Sequence, residues 1–145
     1  MVDLDLIRKA LAEDLAGGQD ITSVATVSGT ERVVVDFVAR KSGVIAGIDM
    51  AVATLREVGV TDIEIKLKDG DRVEPGSVLL TVRGDTRAIL LAERTALNFL
   101  GHLGGIATLT GTWVAAIAGT GCVIRDTRKT TPGMRLLEKA AVVAG

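Results

Sequence analysis

Aromatic residues are scarce in this 145-residue sequence, which has Phe37, Phe99 and Trp113 and no tyrosine. Because large rings are so few, we expect an aliphatic core. Hydrophobic residues amount to 48% and charged residues to 24%, values that are ordinary for a globular protein and argue against intrinsic disorder. The length suits one domain, or one domain and part of a second.

Net charge is also nearly absent, since 17 Lys and Arg residues against 18 Asp and Glu residues leave −1. This balance gives no global reason to expect binding to nucleic acid or to an acidic membrane surface. The sequence has no run of 18 apolar residues, so we expect no membrane span. Asp3 and Asp5 interrupt the apolar N-terminus, which is unlike a signal peptide. We therefore expect a cytoplasmic protein.

Single copies of cysteine and histidine limit the redox and metal chemistry of the chain. Cys122 has no partner for an internal disulfide, and its apolar, strand-like surroundings favour a buried, inert thiol over a reactive one. His102 has no second histidine with which to hold a metal ion. A structural histidine near a helix end is favoured over a general base.

The periodicity of apolar residues predicts a mixed α+β fold. Helical spacing predicts helices over residues 4–15, 49–58, 85–100, 106–118 and from Thr131 to the end of the sequence. Valine-rich, alternating or short apolar runs predict strands over residues 31–41, 44–46, 63–67, 78–82 and 122–124. Asp3 is expected to cap the first helix, and Thr131 with Pro132 to begin the last.

The order of these elements predicts two parts. Residues 1–104 are expected to form an N-terminal α/β sandwich domain, and residues 105–145 the helix–strand–helix opening of a parallel α/β unit. One strand cannot form a parallel sheet, so strands from outside these residues must complete the second part.

Residues 124–133, here called the cationic loop, hold the strongest functional signal. Arg125, Arg128 and Lys129 lie between an expected strand and an expected helix N-terminus, where backbone N–H groups favour an anion. Arginine also matches carboxylate and phosphate oxygens in its geometry. The alternative is a solvated charged loop in which Asp126 neutralises one arginine.

Two further segments are less specific by spacing alone. Arg94 lies among apolar helix residues beside Glu93, a pattern that favours an exposed charge in a weak surface pair. Asp20 and Thr22 follow the first helix and are expected to cap or to form a turn.

Taken together, the motifs of the sequence resemble those of the quinolinate phosphoribosyltransferase family, in the family's order and over essentially the whole chain. The most specific match is the family's D-T-R-K-T-x-P-G pattern. The matching segments are Asp20–Ser23, Gly43–Gly47, Asp69–Gly76, Ala92–Asn98, Gly105–Thr108 and Asp126–Gly133.

This resemblance implies a fold and a reaction. The family fold is an N-terminal α/β sandwich followed by an incomplete α/β barrel. The family joins quinolinate to phosphoribosyl pyrophosphate with Mg²⁺, giving nicotinate mononucleotide, pyrophosphate and carbon dioxide in NAD biosynthesis. The resemblance also implies that the protein forms a homodimer or higher homo-oligomer.

Four residues acquire substrate-binding roles by the resemblance. Arg128 resembles a ligand of the quinolinate carboxylates, Lys129 a cation that faces substrate carboxylate or phosphate, and Thr127 a neighbouring residue of that site. Arg94 resembles the arginine that one subunit donates to the site of its partner, which reverses the interpretation by spacing. No catalytic residue or metal ligand is assigned within these 145 residues.

Family chains continue well beyond the length of this sequence. The continuation carries a His-Arg pair, further lysines, the acids near the magnesium ion and most barrel strands, so residues 1–145 alone are expected to be inactive. Three alternatives stay open: a paralogous phosphoribosyltransferase-like protein such as the molybdenum-associated relatives, a lipoyl- or biotinyl-type carrier domain suggested by residues 69–76, and a non-catalytic dimerisation domain.

Overall fold

A computed structural model describes residues 2–145 as five helices and five strands. In chain order they are α1 (Leu4–Leu15), α2 (Ile21–Thr26), β1 (Arg32–Val38), β2 (Gly43–Val44), α3 (Ile48–Glu57), β3 (Asp62–Ile65), β4 (Arg72–Val73), β5 (Val78–Asp85), α4 (Thr86–Ala116) and α5 (Arg135–Ala144). The mixed composition of helix and strand is the one that the sequence predicts.

One antiparallel sheet, in the order β1-β5-β3, forms a layer of the sandwich. The central strand β5 places Val82 opposite Val35 on one side and Ile63 on the other. Most residues of β5 are buried, whereas β1 alternates between more and less exposed positions, as expected for a strand with one wet face. Strands β2 and β4 form a separate two-stranded pair.

Two aliphatic clusters hold the helices to the sheet and to one another. The first joins α3, β5 and α4, and its residues Leu55, Leu80 and Val82 are fully buried. Burying a side chain of this size contributes about 1.5–3 kcal/mol. The second cluster joins α1, α3, α4 and α5 through contacts that include Ile7 and Leu103. Helix α4 contributes residues to both clusters and so connects them.

Helix α4 is one continuous helix of 31 residues, so the prediction of two helices separated by glycines is wrong. A Cβ added at Gly101 or Gly105 would meet nothing within 4 Å, whereas one at Gly104 would lie 3.5 Å from the Val44 carbonyl oxygen. The close approach at Gly104 is therefore to β2 and not to another helix. The apolar face of the helix continues through the glycines and outweighs their low helix propensity.

Residues 117–134 contain no regular helix or strand, and three predictions fail there. The expected strand over residues 122–124 is not formed, and Cys122 is exposed where a buried thiol was predicted. A lone strand has no neighbour with which to pair its backbone groups, which accounts for its absence. The predicted helix start at Thr131 and Pro132 is also wrong, because α5 begins at Arg135. A turn precedes it, in which the Met134 N–H bonds to the Thr131 carbonyl oxygen at 3.0 Å.

Candidate functional site

The cationic loop connects α4 to α5 and presents its predicted site residues at the surface. Thr127, Arg128 and Lys129 are all exposed. The Thr127 hydroxyl accepts the Lys129 backbone N–H at 3.2 Å, which draws these two residues into one turn. Among residues 2–145, the side chains of Arg128 and Lys129 have no ion-pair partner. The positive charges of Arg128 and Lys129 are thus available to bind an anionic ligand.

Helix α5 holds the backbone of this loop through the side chains of its first turns. Arg135 donates to the Arg128 carbonyl oxygen and to the Thr130 hydroxyl, both at 3.3 Å. Lys139 pairs with Asp126 at 2.5 Å. Asp126 therefore engages a lysine of α5 and not an arginine of its own loop, which removes one reason for reading the loop as a self-neutralised, solvated segment.

Glu138 is a buried carboxylate that joins the loop to both flanking helices. Its two oxygens accept the Thr131 backbone N–H at 3.2 Å and contact His102 Nε2 at 2.9 Å. The hydrogen bonds from Thr131 and then from His102 hold the pKa of Glu138 below its usual range, although burial acts in the opposite direction. His102 has the structural role favoured by the sequence, but sequence patterns gave no role to Glu138.

Arg94 lies on the exposed face of α4, and its side chain is 72% exposed. Its Nη1 atom donates to Asp14 Oδ1 at 2.8 Å, and this hydrogen bond and charge pair raise the pKa of Arg94 above its usual value. Within the described part of the chain, Nη1 is the guanidinium atom that makes a polar contact. The fork of Arg94 therefore keeps donors available for a further anion.

A cavity of about 590 Å³ opens beside Arg94 between α1, α2 and α4. Its walls include Asp14, Asp20 and Glu93 together with the hydroxyl side chains of Thr22 and Ser23. Asp20 caps α2 by accepting the Ser23 N–H at 3.1 Å, and this bonding with Ser23 lowers the pKa of Asp20. The structure thus brings the Asp20–Ser23 motif next to Arg94, which lies far from it in sequence.

The two groups of predicted substrate ligands lie apart on this chain. Residues 127–129 of the cationic loop do not line the cavity beside Arg94. Arg94 and the cationic loop are linked through α4 and α5, but they do not line the same pocket.

The described residues offer no metal centre and no membrane span. No group of three or more His, Cys, Asp and Glu side chains among residues 2–145 is arranged to hold a metal ion. No helix in this part of the chain is long and apolar enough to cross a membrane.

Comparisons with known proteins place these observations in a family. Residues 20–104 match the family model described as the N-terminal domain of quinolinate phosphoribosyl transferase, and residues 106–145 match its C-terminal domain. A nicotinate-nucleotide pyrophosphorylase (carboxylating) of Mycobacterium leprae is 50% identical in an alignment of 144 positions that covers 97% of this chain and 51% of the relative. A probable enzyme of the same name from Methanothermobacter thermautotrophicus is 42% identical over 98% of this chain and 51% of its own length.

Solved structures confirm the fold class. The chain matches NadC from Streptococcus pyogenes with a TM-score of 0.91 and 37% identity, over 97% of this chain and 50% of that structure. It matches the nicotinate-nucleotide pyrophosphorylase of Francisella tularensis with a TM-score of 0.90 and 34% identity, again over 97% and 50%. The chain thus spans about half the length of the relatives that it matches.

Proposed function

This chain belongs to the quinolinate phosphoribosyltransferase family, and from that premise we propose that it supplies substrate-binding residues for the transfer of phosphoribose to quinolinate. The products are nicotinate mononucleotide, pyrophosphate and carbon dioxide, and the reaction serves NAD biosynthesis. The observation that carries the proposal is the exposed pair of cations, Arg128 and Lys129, in a loop fastened to α5.

The charges of the reactants explain why such cations are needed. Quinolinate carries two carboxylates, and phosphoribosyl pyrophosphate carries several phosphate charges. Bringing these anions together requires convergent positive groups, because like charges in a shared pocket repel. We assign the carboxylates of quinolinate to Arg128, and a carboxylate or phosphate to Lys129, with Thr127 shaping the turn between them.

The reaction depends on the alignment of its two substrates and needs no nucleophile from the protein. The ring nitrogen of quinolinate bonds to the anomeric carbon as the bond to pyrophosphate breaks, and the leaving group takes that electron pair. Loss of carbon dioxide then leaves an electron pair on a ring carbon, which takes a proton from solvent. Fixed cations hold the two anionic reactants in line and stabilise the charge that develops on the leaving group.

Mg²⁺ accompanies phosphoribosyl pyrophosphate in this proposal and screens its diphosphate charge. The described residues contain no cluster suited to hold the ion. We therefore assign its protein contacts to the part of family-length chains that this sequence does not cover.

Arg94 is proposed to act in the site of a partner subunit within a cytoplasmic homodimer. Leu90 and Leu97 flank it on the same face of α4 and are 39% and 43% exposed, so the cation lies beside exposed apolar side chains as well as the acidic walls of the cavity. The cationic loop of the same chain does not line the cavity beside Arg94. We propose a two-fold arrangement that places Arg94 against the cationic loop of the partner.

The proposal is tested by turnover of purified proteins in an assay of pyrophosphate release. A family-length chain that carries residues 1–145 is expected to consume quinolinate and phosphoribosyl pyrophosphate with Mg²⁺, and to show no comparable reaction with nicotinate. Residues 1–145 alone are expected to show no turnover. A family-length chain that uses another acceptor in place of quinolinate would identify a paralogous enzyme, and turnover by residues 1–145 would mean that the catalytic groups are misplaced.

A further inference from the structure

Three anchors hold the cationic loop, and all come from the first five residues of α5. Lys139 holds Asp126 near the start of the loop, Arg135 holds the Arg128 carbonyl in the middle, and Glu138 holds Thr131 near the end. The position of the site residues is therefore set by the placement of α5.

Glu138 differs from the other two anchors because it is buried and also bonded to α4. Its exposure is 9%, and His102 Nε2 lies 2.9 Å from its Oε1 atom. Its Oε2 atom receives the Thr131 N–H. One carboxylate thus connects α5, α4 and the loop, while Arg135 and Lys139 connect the loop to α5.

The burial of a carboxylate here also needs an explanation. Glu138 lies between Leu137 and Ala141 in the buried stripe of α5, where an apolar residue would pack without loss of hydration. The N-cap residue of α5, Met134, makes no side-chain cap, and Glu138 in the first turn of α5 accepts the N–H of Thr131, which lies three residues before the cap. The contacts of Glu138 with Thr131 and His102 offset the desolvation of this carboxylate.

We propose that Glu138 is a positioning residue of the substrate site, which fixes the cationic loop against α4 through Thr131 and His102 without touching the substrate. The inference rests on the proposed function for its kinetic consequence. Its geometric part, that Glu138 restrains the loop backbone, is independent of any activity.

Glu138→Met separates positioning from packing. Methionine is similar in length, favours helices and fits an apolar stripe, but it cannot accept the Thr131 N–H. Glu138→Gln is the conservative variant, because its amide oxygen can still accept that N–H. Glu57→Met is the matched control, since Glu57 makes an interhelical bond of 2.6 Å with Arg8 far from the loop.

The geometric part is measured by amide hydrogen exchange in the 145-residue chain. Exchange of the Thr131 N–H is expected to become about tenfold faster in Glu138→Met, the loss of about one net hydrogen bond. It should change little in Glu138→Gln or Glu57→Met. The Glu138 N–H, which bonds to the Met134 carbonyl within the helix region, reports whether α5 itself has opened. Unchanged exchange at Thr131 in a folded Glu138→Met would overturn the restraint.

The kinetic part is measured in the family-length chain. Glu138→Met is expected to raise KM for quinolinate about tenfold with kcat within about threefold, because a displaced loop weakens binding of the anion. Glu138→Gln should stay within about threefold of the wild type in both constants. A wild-type chain without activity on quinolinate would contradict the proposed function and leave the exchange result to decide the restraint. An active wild type with unchanged KM in Glu138→Met would contradict the positioning role alone.

If Glu138→Met does not fold, Thr131→Pro removes the same hydrogen bond from the donor side, and Thr131→Ala retains it. The proline variant is then expected to show the raised KM, and the alanine variant, which loses only the hydroxyl of Thr131, a smaller rise. Equal KM values for the two would overturn the proposal.

Discussion

Two arginines of this chain are held in opposite ways. Arg94 is paired with Asp14 and has its pKa raised by that contact, whereas Arg128 is fixed through its backbone carbonyl and has no side-chain partner among residues 2–145. The guanidinium of Arg94 is therefore held in one orientation by Asp14, whereas the side chain of Arg128 can change its conformation. Binding to Arg128 therefore depends on its loop, and binding through Arg94 depends on the carboxylate behind it.

Arg128→Ala should lower kcat/KM for quinolinate by about 30-fold or more in a family-length chain, the effect of losing about 2 kcal/mol of charge-assisted hydrogen bonding. Arg125→Ala is the control, because Arg125 is an exposed cation of the same loop without an assigned ligand. Steady-state kinetics at saturating phosphoribosyl pyrophosphate make the comparison. Equal losses of kcat/KM in the two variants would show that Arg128 contributes only to the net positive charge of the loop and not a specific contact.

The contribution of Glu138 to the free energy of unfolding should decrease as the pH falls. Because its folded pKa lies below the usual range, its stabilising effect is present above the unfolded value and is lost as pH falls through the folded value. The difference in unfolding free energy between wild type and Glu138→Gln should therefore shrink between about pH 5.5 and about pH 3. Urea denaturation at both pH values measures it, and a difference that grows in acid would contradict the assignment.

At the scale of elements, the glycines of α4 and β2 have unequal roles. Gly101 and Gly105 lie on exposed turns, and an added Cβ would meet nothing within 4 Å. At Gly43 in β2, an added Cβ would lie 2.5 Å from the Thr108 hydroxyl oxygen, which also accepts the Val44 N–H. The first two glycines weaken the helix without a packing reason, and Gly43 is required for the contact of β2 with α4.

Gly101→Ala and Gly105→Ala should each stabilise the 145-residue chain by roughly 0.5–1 kcal/mol, the difference in helix propensity between the two residues. Gly43→Ala should destabilise it, because the Cβ displaces Thr108 from its bond to β2. Chemical denaturation followed by circular dichroism gives all three values. Destabilisation by both helix variants would mean that α4 is not continuous at these positions.

Elements with strong local signals could be predicted from the sequence. Helix α1 has the predicted bounds, and Asp3 caps it by accepting the Leu6 N–H at 3.0 Å. The strand β1 falls within its predicted range. In these segments the side-chain periodicity and the cap agree, so no tertiary information is needed to place them.

Two other segments depend on contacts that sequence patterns do not contain. Helix α2 was expected as a capped turn, because six residues give too short a period to recognise. The strand predicted at residues 122–124 has no pairing partner within the described chain.

The site could be predicted in part. The cationic loop and Arg94 were identified by residue type and by resemblance, but their partners Glu138 and Asp14 were not. A signal for Glu138 exists: an acidic residue within the apolar stripe of α5. Asp14 offers no comparable signal, because its link to Arg94 spans 80 positions of the sequence.

At the scale of the whole molecule, the chain carries two sets of proposed substrate ligands and spans about half the length of its relatives. The cavity beside Arg94 and the cationic loop share α4 as a scaffold but no common pocket in residues 2–145. We therefore propose that each active site is divided between two subunits, with Arg94 from one and Arg128 from the other.

Mixed dimers of family-length chains test this division most directly. One parent carries Arg94→Ala and the other Arg128→Ala, and each is expected to be nearly inactive as a homodimer. If Arg94 acts in the partner's site, every heterodimer has one site with both substitutions and one with neither. Purified heterodimers should then regain up to about half of the wild-type activity. Heterodimers as inactive as their parents would show that Arg94 serves the site of its own chain.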